Sequence, residues 1–241
     1  MNNNLVKWLF FLLWPFMSFI FALKRGFNAN FQNILLAFSF LYGYTVFIEG
    51  GDIQRYEDSF YQILKFTWVD YFGRILNLYD SNYEPPYYAV AVVKPDIYAF
   101  SLQFFISRLT SNPRWFWALT SLIYTHFFLL FINKVVSIVG LRKNDLVYYI
   151  FLLLIIWMIP FYRGVTGVRF WTAMYLFLFF LITYTRTNEV ELILFSSLTV
   201  LIHYTFLLPF GILFLIHILR NIRLNQKSVL LLSAFFLLVG E

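Results

Sequence analysis

Arg163 and Arg169 stand between two long apolar runs, in the stretch FYRGVTGVRFW. A charge at or inside a membrane boundary costs about 3 kcal/mol or more, so it marks a functional site by default. Gly164 and Gly167 lie between the two arginines and let the backbone turn tightly and approach a ligand closely. Pro160 ends the preceding apolar run, which leaves the pair in a short, constrained link. Guanidinium groups beside a helix start suit a bidentate grip on phosphate oxygens, and phosphate is the anion expected at a bilayer surface. The plainer alternative is a pair of loop arginines snorkelling at the ends of two spans.

A second group of candidate residues lies in GGDIQRY, where Asp52, Arg55 and Tyr56 have helical or turn spacing. Asp52 suits a general base for a sugar hydroxyl, or a ligand for a divalent ion beside a diphosphate. A hydrated loop with a glycine turn is the alternative. His203 interrupts SLTVLIHYTFLLPF. It is either bonded to a neighbour such as Tyr204 or Thr205, or it serves as a proton acceptor or phosphate contact near neutral pH. His126 and His217 have no evident partner in the sequence. Glu84 precedes Pro85 and Pro86, a helix-start arrangement, with sugar binding as a second role. Tyr79, Tyr83, Tyr87 and Tyr88 form an interfacial belt or a stacking surface for pyranose rings. The sequence has no Walker loop, no GxGxxG after a strand, no GxSxG and no HExxH. It also lacks a channel filter.

The elements that position these residues follow from composition. Of 241 residues, 61% are hydrophobic and only 12% charged, and the mean hydropathy is +0.72. Soluble domains are about a quarter charged, so the expectation is an all-α, polytopic membrane protein forming one membrane domain over 1–241. Its 32 Phe, 17 Tyr and 7 Trp exceed what one soluble core needs. The net charge of +6 is spread in ones, twos and threes between apolar runs, which excludes a nucleic-acid face. With no cysteine, disulfides and thiolate metal sites are excluded too.

Apolar runs place about eight helices that span or enter the bilayer, near 5–23, 31–48, 113–133, 146–160, 168–185, 190–202, 204–219 and 228–239. The first is too long for a signal-peptide core and reads as a retained span. The segment 49–96 leans acidic and reads as an external loop of short interfacial helices. Lys24-Arg25, the group Lys134/Arg142/Lys143, Arg186 and Arg220/Arg223/Lys227 read as cytoplasmic. This parity requires 85–109 to be re-entrant or interfacial, with 113–133 as a single crossing. Two crossings there would instead put Arg163 and Arg169 in the cytoplasm. Val190 to Leu219 is about 45 Å as one straight helix, so it must split near His203. Asp52, Arg55, Glu84, Arg163, Arg169 and His203 then reach one face, the outer one.

These residues resemble a known family. D-x-x-R-Y after the second span (Asp52, Arg55, Tyr56), Glu84-Pro85, R-G-x-x-G-x-R (Arg163 to Arg169) and the His203 element resemble, in order, the EpsG family. These are Wzy-type bacterial polysaccharide polymerases, similar in outline to membrane glycosyltransferases of the GT-C type. The usual basic motif reads N-x-I-R-Q, where this chain has Val168-Arg169-Phe170, and members are commonly longer.

The resemblance implies transfer of glycan from an undecaprenyl-diphosphate carrier to an acceptor sugar hydroxyl, building exopolysaccharide, capsule or O-antigen. It implies a multi-pass protein of the bacterial cytoplasmic membrane with its active site on the outer face. Asp52 or His203 would act as base, with Asp52 favoured by analogy to the first external-loop carboxylate of GT-C enzymes. Arg163, Arg169 and Arg55 would hold the diphosphate, and Tyr56 and Glu84 would bind sugar or support the site. No cofactor is required, although a divalent cation is compatible. The implied partners are the lipid-linked oligosaccharide, membrane lipids, a flippase and a chain-length regulator, and no nucleic acid. The competing expectation is a transporter or flippase of lipid-linked saccharides, which needs paired interrupted helices in two halves. A glycan acyltransferase and a non-catalytic scaffold are further readings.

Overall fold

The computed structural model describes residues 3–24, 29–45, 51–77, 97–140, 150 and 167–221, and every regular element among them is helical. In chain order these are α1 (Asn3–Leu13), α2 (Pro15–Lys24), α3 (Ala29–Thr45), α4 (Gly51–Ile63), α5 (Trp68–Leu76) and α6 (Ile97–Ser107). Then follow α7 (Arg114–Val139), α8 (Val168–Thr187), α9 (Val190–Ser196), α10 (Leu198–Ile202), a 3-10 turn (Tyr204–Phe206) and α11 (Leu207–Asn221). Two of them, α7 and α8, are long and apolar enough to cross a membrane.

Helices α3, α7 and α8 form the centre, and their directions define the two ends of the molecule. On α3, the Ser39 hydroxyl donates to the Ser121 carbonyl at 2.8 Å and lies 2.5 Å from the Thr125 hydroxyl. Gly43, one turn further on, meets Trp117, so α3 and α7 are antiparallel. A Cβ on Gly43 would come within 2.4 Å of the Trp117 carbonyl oxygen, so only glycine lets these backbones approach. Val168 shares a cluster with Trp117, while Tyr175 packs on Tyr124 and Phe128. Helices α7 and α8 therefore run parallel. Thr45, Arg114 and Val168 lie at one end, and Val139 and Thr187 at the other.

The chain then returns along α8. Phe195 stacks on Phe180, Phe206 meets Phe177, and the His203 ring lies 5.8 Å from that of Phe170. Helix α11 leads back, so that the Tyr184 hydroxyl pairs with His217 Nδ1 at 2.8 Å and Arg220 donates to Asn188. The long apolar run does break at His203, with a further interruption at Ser197 between α9 and α10.

Two expectations are corrected. The run 5–23 is not one straight span. Pro15 removes a helical N–H, the helix bends at Trp14, and two pieces of 11 and 10 residues result. Phe10 and Phe21 touch at 5.8 Å between centroids, whereas a straight helix would separate them by roughly 16 Å along its axis. Phe19 stacks on Phe38, and Lys7 Nζ lies 4.6 Å over the Phe31 ring. The pair thus dips to the middle of α3 and comes back to the same end. Second, Lys134 is not a loop residue but lies within α7, which runs to Val139 and stops at left-handed Gly140. Of the two readings of GGDIQRY the helical one holds from Gly51 onward, because Asp52, Arg55 and Tyr56 all lie in α4.

Helix α6 has 11 residues and buries Phe100, Gln103, Phe104 and Ile106, so it packs as a short core helix beside α7. Arg108 ties it to α4, donating to the carbonyls of Ile63, Leu64 and Phe66 at 2.8–3.0 Å. Of these, only Ile63 lies in α4, and its carbonyl also accepts from the Phe66 N–H at 3.0 Å; Leu64 and Phe66 belong to the turn that follows the helix. Helix α5 starts on a capping box, Thr67 with Asp70, and exposes Trp68, Val69, Phe72 and Leu76. The spans expected at 146–160, apart from Ile150, and at 228–239, and the loop expected beyond Asn77 up to Asp96, lie outside the described residues.

Candidate functional site at the start of α8

Helix α8 begins at Gly167, whose backbone (φ −121°, ψ 44°) leaves the helical region without a side-chain cap. The first N–H groups of the helix therefore point outward with no partner inside it, and the helix dipole adds positive potential there. Val168, fully buried against Ile53, Phe116 and Trp117, pins this start to α4 and α7. Arg169 follows, half-buried, with its guanidinium carbon 5.9 Å from the centroid of the Tyr56 ring. Tyr56 is itself wedged edge-on against Trp117.

Gln103 sets the position of α4 at this point. Its amide nitrogen donates to the Tyr56 carbonyl at 2.7 Å, while its oxygen accepts from the Ser59 hydroxyl at 3.0 Å. The Ser59 bond is buried and the Tyr56 bond partly so, which shields both from competition with water. On the other side of Arg169, Phe170 carries the contact to His203. The His203 Nδ1 accepts from the Thr205 N–H at 3.4 Å and lies 2.9 Å from the Thr205 hydroxyl. A backbone N–H can only donate, so Nδ1 is the acceptor and the neutral ring carries its proton on Nε2.

Arg169, Tyr56, Arg55 and His203 thus belong to three chain segments that meet at one end of the helices. Arg55 lies one residue before Tyr56 on α4 and is exposed. Asp52 lies on the first turn of α4. Its side chain is outside the described residues, as are Arg163 and Glu84.

Sequence reasoning missed Tyr98 and Thr172. The Tyr98 hydroxyl is buried beside that of Thr172, one turn below Arg169, and among the described residues neither closes a hydrogen bond of ordinary geometry. Burial pushes the Tyr98 phenol well above its usual range, the nearby Tyr56 adds to this, and the Thr172 hydroxyl partly offsets it. Tyr98 stays neutral and offers a donor at any physiological pH. Gln103 was visible in the sequence as a polar interruption of an apolar run, but its role was not. Among the described residues, no three His, Asp or Glu side chains gather as a metal site.

No family model matches the chain, and comparison with curated proteins and with solved structures returns no match.

Proposed function

We propose that this end of the helices binds the diphosphate of a lipid-linked oligosaccharide, and that the protein polymerises such repeat units. The observation that carries the reading is the meeting of Arg169 with Tyr56 on one side and, through Phe170, His203 on the other. A cation at a helix start that has no side-chain cap among the described residues is suited to an anion, and an aromatic neighbour is suited to a sugar or prenyl group beside it.

In the proposed reaction, the acceptor hydroxyl attacks the anomeric carbon and the bond to the diphosphate oxygen breaks. Arg169 and Arg55 offset the charge that develops on the leaving diphosphate, a contribution of roughly two to three orders of magnitude per donor. Asp52 takes the hydroxyl proton, which speeds attack about 10²- to 10⁴-fold. With Nδ1 occupied by Thr205, His203 serves as an Nε2–H donor to the phosphate rather than as the base. Arg163 and Glu84 keep the roles that the resemblance implies, and a divalent cation would share the work of the arginines.

The proposed setting is a single multi-pass membrane domain of about eight spanning or entering helices. Arg186 and Arg220 would lie on the cytoplasmic side and Arg169 on the outer face of a bacterial inner membrane. The exposed apolar side of α5 would lie in the outer headgroup layer.

The test replaces Arg169 with Ala and follows lipid-linked glycans. Single repeat units should accumulate outside the membrane at normal protein level. Accumulation on the cytoplasmic side would point to a flippase, and unchanged polymer would remove the role.

A further inference from the structure

At the other end of the molecule, the bent α1–α2 pair and α3 enclose an open cleft of about 550 Å³. That volume falls within the roughly 300–1,000 Å³ of ligand sites. Its walls are apolar, with Phe10 and Phe21 on the bent pair and Phe31 and Ile34 on α3. Among the described residues two polar side chains line it. Lys7 stands at the mouth with its ammonium over Phe31, near the start of α3. Ser18 lies inside, 3% exposed, and its hydroxyl has no hydrogen-bond partner among the described residues.

A buried hydroxyl without a partner costs about 1–3 kcal/mol, so something in the cleft is expected to accept from it. The neighbouring residue, Phe19, stacks on Phe38, which places Ser18 deeper than Lys7. The offset is at most the distance from Phe31 to Phe38, about 10 Å along α3. A cation at the surface, a donor below it and an apolar wall throughout describe one class of amphiphile.

We propose that this cleft binds an anionic phospholipid. Its phosphate pairs with Lys7, an ester carbonyl accepts from the Ser18 hydroxyl, and the upper acyl chain lies between Phe10, Phe21 and Ile34. The bend at Pro15 shapes the site, because it brings Phe10 and Phe21 together on one wall, facing Phe31 and Ile34 of α3. The site lies at the far end of α3 from Arg169 and does not depend on the diphosphate reading.

The test is native mass spectrometry of the full chain in mild detergent, with equal amounts of phosphatidylglycerol and phosphatidylethanolamine added. The wild type should retain one phosphatidylglycerol per chain in preference. Lys7→Gln should lower that preference about tenfold, and Ser18→Phe, which fills the cleft, should abolish retention. Ser18→Ala adds no bulk and should weaken retention with the fold intact, which guards against misfolding of the Phe variant. Equal retention of the two lipids by the wild type, no retention, or retention indifferent to Lys7→Gln would each overturn the proposal.

Discussion

Arg169 holds its guanidinium 5.9 Å from the centre of the Tyr56 ring, so the first turn of α8 is read directly by α4. The ring cannot drift, because Trp117 backs it and Gln103 holds the Tyr56 carbonyl. An arginine so placed is oriented before any ligand arrives, which spares the entropy of ordering a long side chain on binding.

Tyr56→Phe keeps the ring and should leave transfer close to wild type. Tyr56→Ala removes the surface under Arg169, and a cation–π contact of about 0.5–2 kcal/mol is lost. Initial rates on a lipid-linked substrate should fall roughly two- to thirtyfold. Equal rates for both variants would show that the ring does not position Arg169.

His203 separates two roles by its tautomer. If Nε2–H donates to phosphate, His203→Gln retains a donor and should keep most activity, while His203→Ala should lose about a hundredfold. If His203 were the base, both variants would fail alike and the pH profile would lose a limb in the neutral range.

Much of this arrangement could be read in the sequence, for physical reasons that differ by element. Long apolar runs such as 168–185 are plain in the sequence, and α8 there is long and apolar enough to cross about 30 Å of hydrocarbon. The break at His203 appears because Val190 to Leu219 is too long to be one span. The bend at Pro15 was hidden. Apolar periodicity is the same for a straight helix and a folded one, and contacts such as Phe10 with Phe21 and Phe19 with Phe38 distinguish them. Lys134 was misplaced because a lysine can snorkel from within a helix and still look like a loop charge. The site residues Arg169 and His203 stood out as charges among apolar neighbours. Tyr98, Thr172 and Gln103 did not, since their roles arise only when α6 meets α4 and α8.

Gly43 gives a test of the central packing. In Gly43→Ala the new methyl meets the Trp117 carbonyl oxygen and the Ser121 side chain, and backbone cannot yield cheaply. Overpacking of this kind costs about 1–3 kcal/mol. Thermal unfolding in detergent should shift down by several degrees, and an unchanged midpoint would contradict the α3–α7 contact.

The absence of native cysteine makes the proposed orientation directly testable. Thr205 and Glu189 are both exposed and lie at opposite ends of α8. In intact cells an impermeant thiol reagent should label Thr205→Cys and spare Glu189→Cys. The reverse pattern would place Arg169 and His203 on the cytoplasmic side and end the polymerase reading.

The most direct measurement is the affinity of the purified full chain for a short-chain polyprenyl diphosphate, compared between Arg169→Ala and Arg220→Ala. Arg220 bonds to Asn188 at the far end and controls for loss of charge alone. Arg169→Ala should weaken binding roughly ten- to a hundredfold, the loss expected for charged hydrogen bonds, with Arg220→Ala unchanged. Equal affinity in the wild type and both variants would contradict a diphosphate site at the start of α8.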